Sequence, residues 1–331
     1  MTHPPEPNEV ARFVSTGGLP TPDEVGALVT ATYERHAGNR DGAPSDVYPA
    51  LSGVAPDLFG LCVVSVNRGS REAGDAATRF TIMSVAKPFV FALVCDALGP
   101  EETRARVGVN ATGLPFNSVA AVDRVADGRT NPMVNPGAIA TTSLVAGESH
   151  DEQWETLRSG LSRFAGAELA LDDEVYASAS ETNYRNRELV AALAERGAIA
   201  GDPAVGLDLY TRQSSLAVTA RDLAAMGSTL AAGGVNPITG SRVVSPSACR
   251  HTLAVMATAG LYETSGDWLY DVGLPGKSGI GGGIVTVSPG KGGLGTYAPR
   301  LDAAGNSVKG QLAARDLSRA LGLDLFASEP P

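Results

Sequence analysis

FTIMSVAKPFVFALVCDAL, residues 80–98, begins as an extended apolar run and continues as a helix. Pro88 falls in the first helical turn, where backbone amides have no intrahelical partner to lose. Ser84 and Lys87 stand three residues apart, so a helix here sets both side chains on one face. An amine then lies beside a hydroxyl at a helix N-terminus, where the positive end of the dipole helps keep a lysine neutral and favours developing anions. Such a Ser–Lys pair activates a hydroxyl without histidine. The other S-x-x-K match, Ser288 to Lys291, lies in a turn and cannot align its two side chains this way.

The rest of the chain bounds what this pair can serve. With 331 residues, 43% of them hydrophobic and 19% charged, it fills a core and is no disordered segment. Its net charge of −10 and lack of a basic run exclude nucleic acid as a main partner. No stretch approaches the ~20 apolar residues of a transmembrane helix, so no membrane role is expected. The opening MTHPPEPNEVARFVSTGG has no basic start before an apolar stretch, unlike a secretory signal. Cys62, Cys95 and Cys249 form no C-x-x-C, and Cys62 and Cys95 read as small core residues. A reduced, cytoplasmic protein is expected.

Lysine occurs only four times, while arginine supplies the other basic residues. A surface charge is served by arginine, but a group that must lose its proton is not, because guanidinium stays protonated. Lys87 and Lys277 sit in contexts that fit such a demand. Lys291 and Lys309, in Gly-rich segments, read as surface charges that survive by chance.

Residues 1–22 read as an N-terminal tail. Residues 23–37 have helical spacing with acids at the start, and PDLFGLCVVSVNRGS reads as a strand with a hairpin end. The segment 96–239 is mainly helical; in TARDLAAMGSTLAAGG, Thr219 and Asp222 cap a helix that Gly233-Gly234 ends. After residue 240, GGGIVTVSPGKGGLGTYAP reads as two strands joined by a turn, and LAARDLSRALGL as a closing helix. The fold class expected is α/β (α+β), an antiparallel sheet flanked by helices. Residues 23–95 and 240–331 build the sheet-containing part, 96–239 a helical domain, and the active site lies between them.

Several signatures fail. Asp271 stands where a P-loop needs its first glycine, and G-x-G-x-x-G at Gly290, Gly292 and Gly295 has no helix after it. There is no G-x-S-x-G, and the four histidines have no metal spacing. No metal and no organic cofactor are expected. Lys277-Ser278-Gly279, however, is a K-[ST]-G element in a Gly-rich segment leading to a strand. S-x-x-K early and K-[ST]-G late is the order in serine β-lactamases and penicillin-binding proteins.

Longer blocks narrow the resemblance. NPMVNPGAI (131–139), TNYRNR (182–187), YTRQSS (210–215), LYETSG (261–266) and VGLPGKSGIGGG (272–283) closely resemble the serine-dependent glutaminases. So do FNS (116–118), NPITG (236–240) and LDAAGNSVKG (301–310), in order and at nearly constant spacing from about residue 46 to 320.

The resemblance implies a β-lactamase-like fold and hydrolysis of L-glutamine to L-glutamate and ammonia. Ser84 would be the nucleophile and Lys87 its proton acceptor, with Tyr210 and Tyr262 near the reacting carboxamide. Asn135 and Asn186 would bind substrate, with Lys277 beside them. Ile280, where the family usually has valine, would lend its backbone N–H, with that of Ser84, to an oxyanion hole. A homo-oligomer, dimer or tetramer, is what the family implies.

Four positions depart from the family. Ala179 stands where a pocket glutamate is usual, seven residues before Asn186, and Glu181 follows two residues later. On an extended segment residues two apart point the same way, so Glu181 is expected to take that place and meet the substrate α-ammonium. Val47 falls where the family has a tyrosine, with Tyr48 one step on; Met83 replaces a glutamine and Pro136 an alanine. Two alternatives stay open: another Ser–Lys hydrolase acting on a different amide, lactam or ester, and a non-catalytic amino-acid-binding protein on the same fold.

Overall fold

The computed structural model describes residues 20–327. Its main sheet has five strands: β1 (Gly60–Ser65), β2 (Ser70–Gly74), β5 (Gly276–Ser278), β6 (Gly283–Ser288) and β7 (Gly292–Tyr297). Their order is β2-β1-β7-β6-β5, with every neighbour antiparallel. The short strands β3 (Phe80–Thr81) and β4 (Ala217–Val218) pair with each other alongside. The chain therefore completes its sheet from both ends, as expected.

Alternation along the strands decides what covers each face. Cys62, Val64, Val285 and Val287 point into one cluster with Leu223 and Met226 of the helix Ala220–Ala231. Leu61, Ile284 and Leu294 point into the opposite one, with Val29 of the helix Pro22–Ala37 and Ala313 and Leu317 of the helix Val308–Ala320. Glycines make the first contact close. A Cβ on Gly295 would lie 2.1 Å from the Ala220 carbonyl oxygen, and one on Gly293 would lie 2.4 Å from the Ser228 nitrogen. Gly295 of the dismissed dinucleotide signature thus belongs to a strand that a helix crosses at backbone distance, while Gly290 lies in the turn before that strand.

That helix carries the capping box anticipated at Thr219: Asp222 Oδ2 accepts from the Thr219 amide at 2.8 Å, and Thr219 Oγ1 from the Asp222 amide at 3.2 Å. It lies within the 96–239 segment yet packs on the sheet. Other helices of that segment hold a separate cluster, in which Val122, Ile139, Leu189, Leu193 and Tyr210 meet.

One expectation is overturned here. Lys291 and Lys309 are not surface charges but are 8% and 1% exposed. Lys309 Nζ donates to the carbonyls of Ala37 (2.9 Å) and Asp57 (3.3 Å), and Lys291 Nζ to that of Gly322 (3.2 Å). All four lysines are buried, where a compact ammonium reaches carbonyls that a forked guanidinium does not fit. The three cysteines are buried and free.

Candidate active site

Ser84 sits in a single 3-10 turn, Met83–Val85, that enters the helix Ala86–Leu98. Met83 is held at φ 47°, the left-handed region that unbranched side chains with a Cβ avoid, at a cost of roughly 1–3 kcal/mol. Strand β5 and the turn after it lie against this bend. A Cβ on Gly279 would be 3.0 Å from the Ile82 carbonyl oxygen and 3.2 Å from the Ser84 nitrogen, so a side chain there would press the K-S-G segment away from the bend.

One turn on, Lys87 is fully enclosed. Its Nζ donates to Asn135 Oδ1 at 2.6 Å and to the Met133 carbonyl at 3.4 Å. No carboxylate compensates it, so burial pulls the ammonium down to about 7. Asn135 begins the helix Asn135–Thr142, where Pro136 is tolerated in the first turn. Its Oδ1 also accepts from the Tyr210 hydroxyl at 3.2 Å, while its Nδ2 donates to Asn186 Oδ1 at 2.9 Å. Lysine, two amides and a phenol thus form one buried network from four helices.

Tyr210, on the helix Pro203–Ser214, keeps its proton because burial pushes the phenol well up, with Tyr48 and Tyr262 adding to the effect. Tyr262 stands in a second strained turn at φ 53°. Burial raises its phenol too; the Ser84 hydroxyl and the Ile280 backbone amide pull in the opposite direction, which sets that hydroxyl against Ser84. No protein group meets it at good hydrogen-bond geometry among the described residues. Lys277 Nζ lies 4.4 Å from the centroid of the Tyr262 ring and donates to the Ser278 carbonyl at 2.5 Å. Burial and the neighbouring Lys87 hold Lys277 well below the usual lysine range.

A cavity of about 120 Å³ opens on Ser84, walled by Tyr48, Asn135, Asn186, Tyr210 and Ile280 among the expected residues. The departures Val47, Met83 and Ala179 line it as well. Cavities of about 310 and 640 Å³ lie elsewhere, but neither includes the Ser–Lys pair, so chemistry rather than size selects the smaller one. Tyr262 and Lys277 are not on its wall; they sit behind it, beside Ser84.

Glu181 is the clear correction. Ser178 to Thr182 belong to the helix Asp173–Thr182, not to an extended segment. Two residues along a helix turn a side chain to another face, so Ala179 is buried on the cavity wall and Glu181 is exposed to solvent. Glu181→Gln is therefore expected to leave KM for an amino-acid amide within about twofold, as surface changes do. A steady-state titration showing a larger rise would bring Glu181 back into the site. Sequence reasoning missed Arg185, Asn183 and Ser214, which also line the cavity. Arg185 and Asn183 stood within TNYRNR, but only the helix geometry shows that they turn inward.

The arrangement, a mixed α/β sheet domain with a Ser–Lys pair at its junction with helices, is a β-lactamase-like fold. A family model for glutaminase matches residues 42–326. Glutaminase 2 of Yersinia pestis is 62% identical over 323 residues, covering 98% of this chain and 95% of its own. A glutaminase of Brucella canis is 47% identical over 287 residues, 87% of this chain and 90% of its own. Among solved structures, probable glutaminase ybaS superposes with a TM-score of 0.90 at 39% identity, covering 92% and 99% of the two chains. The native form of Mglu gives 0.87 at 32% identity, covering 95% of this chain and 75% of that one. This chain belongs to the glutaminase family of amidohydrolases.

Proposed function

We propose that this protein hydrolyses the side-chain amide of L-glutamine to L-glutamate and ammonia through an acyl-enzyme on Ser84. The observation that carries the reading is Lys87: a fully buried amine, oriented by Asn135, with its proton affinity lowered to about 7. Such an amine is neutral in half or more of the molecules at working pH and accepts a proton.

Ser84 Oγ attacks the carboxamide carbon as its proton passes to Lys87. The oxyanion is met by the backbone amides of Ser84 and Ile280, a contribution of roughly 2.7–4 kcal/mol per donor in comparable sites. The C–N bond then breaks, and the leaving nitrogen departs as ammonia with the proton that Lys87 took up. Tyr262, protonated and beside Ser84, is placed to relay it, and Tyr210 holds Asn135 to Lys87. Water cleaves the ester, its proton passing to the amine and on to Ser84, and glutamate leaves.

Asn135, Asn186 and Tyr48 hold the rest of the substrate, while Lys277 supports Tyr262 from below. These roles need no metal and no organic cofactor. The reading includes a sheet-containing part of 23–95 and 240–331, a helical part of 96–239, and catalysis between them. The family and the buried free thiols favour a cytoplasmic homo-oligomer. No helix among the described residues is long and apolar enough to cross a membrane.

Ammonia release from glutamine, set beside asparagine, a chromogenic lactam and a simple ester, tests the reading. Glutamine should be the preferred substrate among the four. Faster turnover of the lactam or the ester would replace it with the other Ser–Lys hydrolase, and no turnover of any with a binding protein.

A further inference from the structure

The cavity wall has a polarity of its own. Its one charged side chain is the Arg185 guanidinium, half exposed, with Nε donating to the Asn117 carbonyl at 2.9 Å and Nη1 to Glu188 at 2.6 Å from outside. No acidic side chain lines the cavity among the described residues. Of the four amides on the wall, Asn135 and Asn186 have their oxygens engaged within the protein. Asn135 Oδ1 takes bonds from Lys87 and Tyr210, and Asn186 Oδ1 takes one from Asn135. Asn186 keeps its Nδ2, a donor, and one lone pair of its oxygen. Opposite, Ala179 presents a methyl group.

Donors and a guanidinium suit a carboxylate. An ammonium would find only neutral acceptors there and no carboxylate to offset the water it loses on entering. We infer that this site recognises ω-monoamides of short dicarboxylic acids through the carboxamide and the distal carboxylate, and that a free α-ammonium is not required. The inference rests on the amidohydrolase reading above and names the substrate class of that same site. Glutamine is then one member of the class, its ammonium left at the mouth of the cavity in water. A carboxylate that strengthens in binding as the amide is attacked raises kcat/KM whether or not an amine stands beside it.

The probe is glutaramate, the five-carbon monoamide that lacks only the α-amine, compared with glutamine in ammonia release by the purified full chain. A kcat/KM for glutaramate within tenfold of that for glutamine is the expected result. A loss greater than tenfold overturns the inference. Ala179→Glu places a carboxylate on the wall and should raise the preference for glutamine over glutaramate at least tenfold. In a folded variant, an unchanged ratio overturns the inference that the lack of a carboxylate on the wall is what frees the site from an α-ammonium. The wild-type comparison needs no variant and decides alone if Ala179→Glu does not fold. The two readings fail separately. Hydrolysis of glutamine without glutaramate sinks only this inference, whereas no ammonia from either removes the amidohydrolase reading itself.

Discussion

Ser84→Ala is expected to lower glutamine turnover by on the order of 10⁶, to the level that binding and the remaining site supply without a nucleophile. The size of the effect follows from the chemistry: among the described residues, no other hydroxyl has the combination found here. Ser84 stands at a helix N-terminus, one turn from a neutral amine, beside the Ile280 amide and the Tyr262 hydroxyl. Ser278 lies nearby, but its Oγ is buried without a partner and off the cavity wall. Alanine removes one exposed-side oxygen at a partly buried position, so near-UV circular dichroism and the denaturation midpoint should match the parent. Ammonia release that keeps even 1% of the parental rate in such a folded variant would end the acyl-enzyme mechanism.

How the sequence foretold this site differs from residue to residue. Ser84 and Lys87 were legible because helical spacing is local: i and i+3 share a face wherever the helix lies. The sheet was legible because the near-continuous apolar runs of β1 and β6 report two covered faces. Glu181 was misread because the same six residues, rich in Ser, Thr and Asn, suit either a turn or the last turn of a helix. Only packing decides between them, and there a shift of two residues changes what a pocket contains. Tyr262 and Lys277 show another limit. The sequence placed them near the reaction, but their position behind the wall depends on a strained turn at Tyr262 and on the depth of β5. The lysine pattern, by contrast, held more than it was credited with. Lys291 and Lys309 are enclosed like Lys87 and Lys277, so scarcity of lysine marks burial in this chain, and only the context of Ser84 marks chemistry.

Lys87 gives the second large effect, and activity and stability should move in opposite directions. Lys87→Arg keeps the charge but has no accessible neutral form, so kcat/KM should fall by on the order of 10²–10⁴, close to the loss for Lys87→Ala. The proposed proton transfer to Lys87 needs the neutral amine, so kcat/KM should rise with pH through about 7 and level off above it. Stability follows from the same shift. The folded-state value is depressed from 10.5 to about 7, so between these pH values the unfolded chain binds the proton that the native chain has lost. Native stability therefore rises with pH across that window, and below it the full cost of burying the amine, about 5 kcal/mol, is present. Lys277 faces the same space, and because Lys87 helps hold its proton affinity down, removing Lys87 relieves Lys277 too and acts in the same direction. Lys87→Met removes the amine at similar volume and forfeits its bond to Asn135, whose Oδ1 still accepts from Tyr210. The Met variant should be inactive yet more stable at pH 7, by roughly 2 kcal/mol once the lost hydrogen bond is deducted. Its advantage should shrink between pH 7 and 9. Urea denaturation at the two pH values measures both terms. A Met variant less stable than the parent at pH 7, or an advantage that grows with pH, would mean that Lys87 is carried as a charged structural anchor. The proton of Ser84 would then have to go to another group.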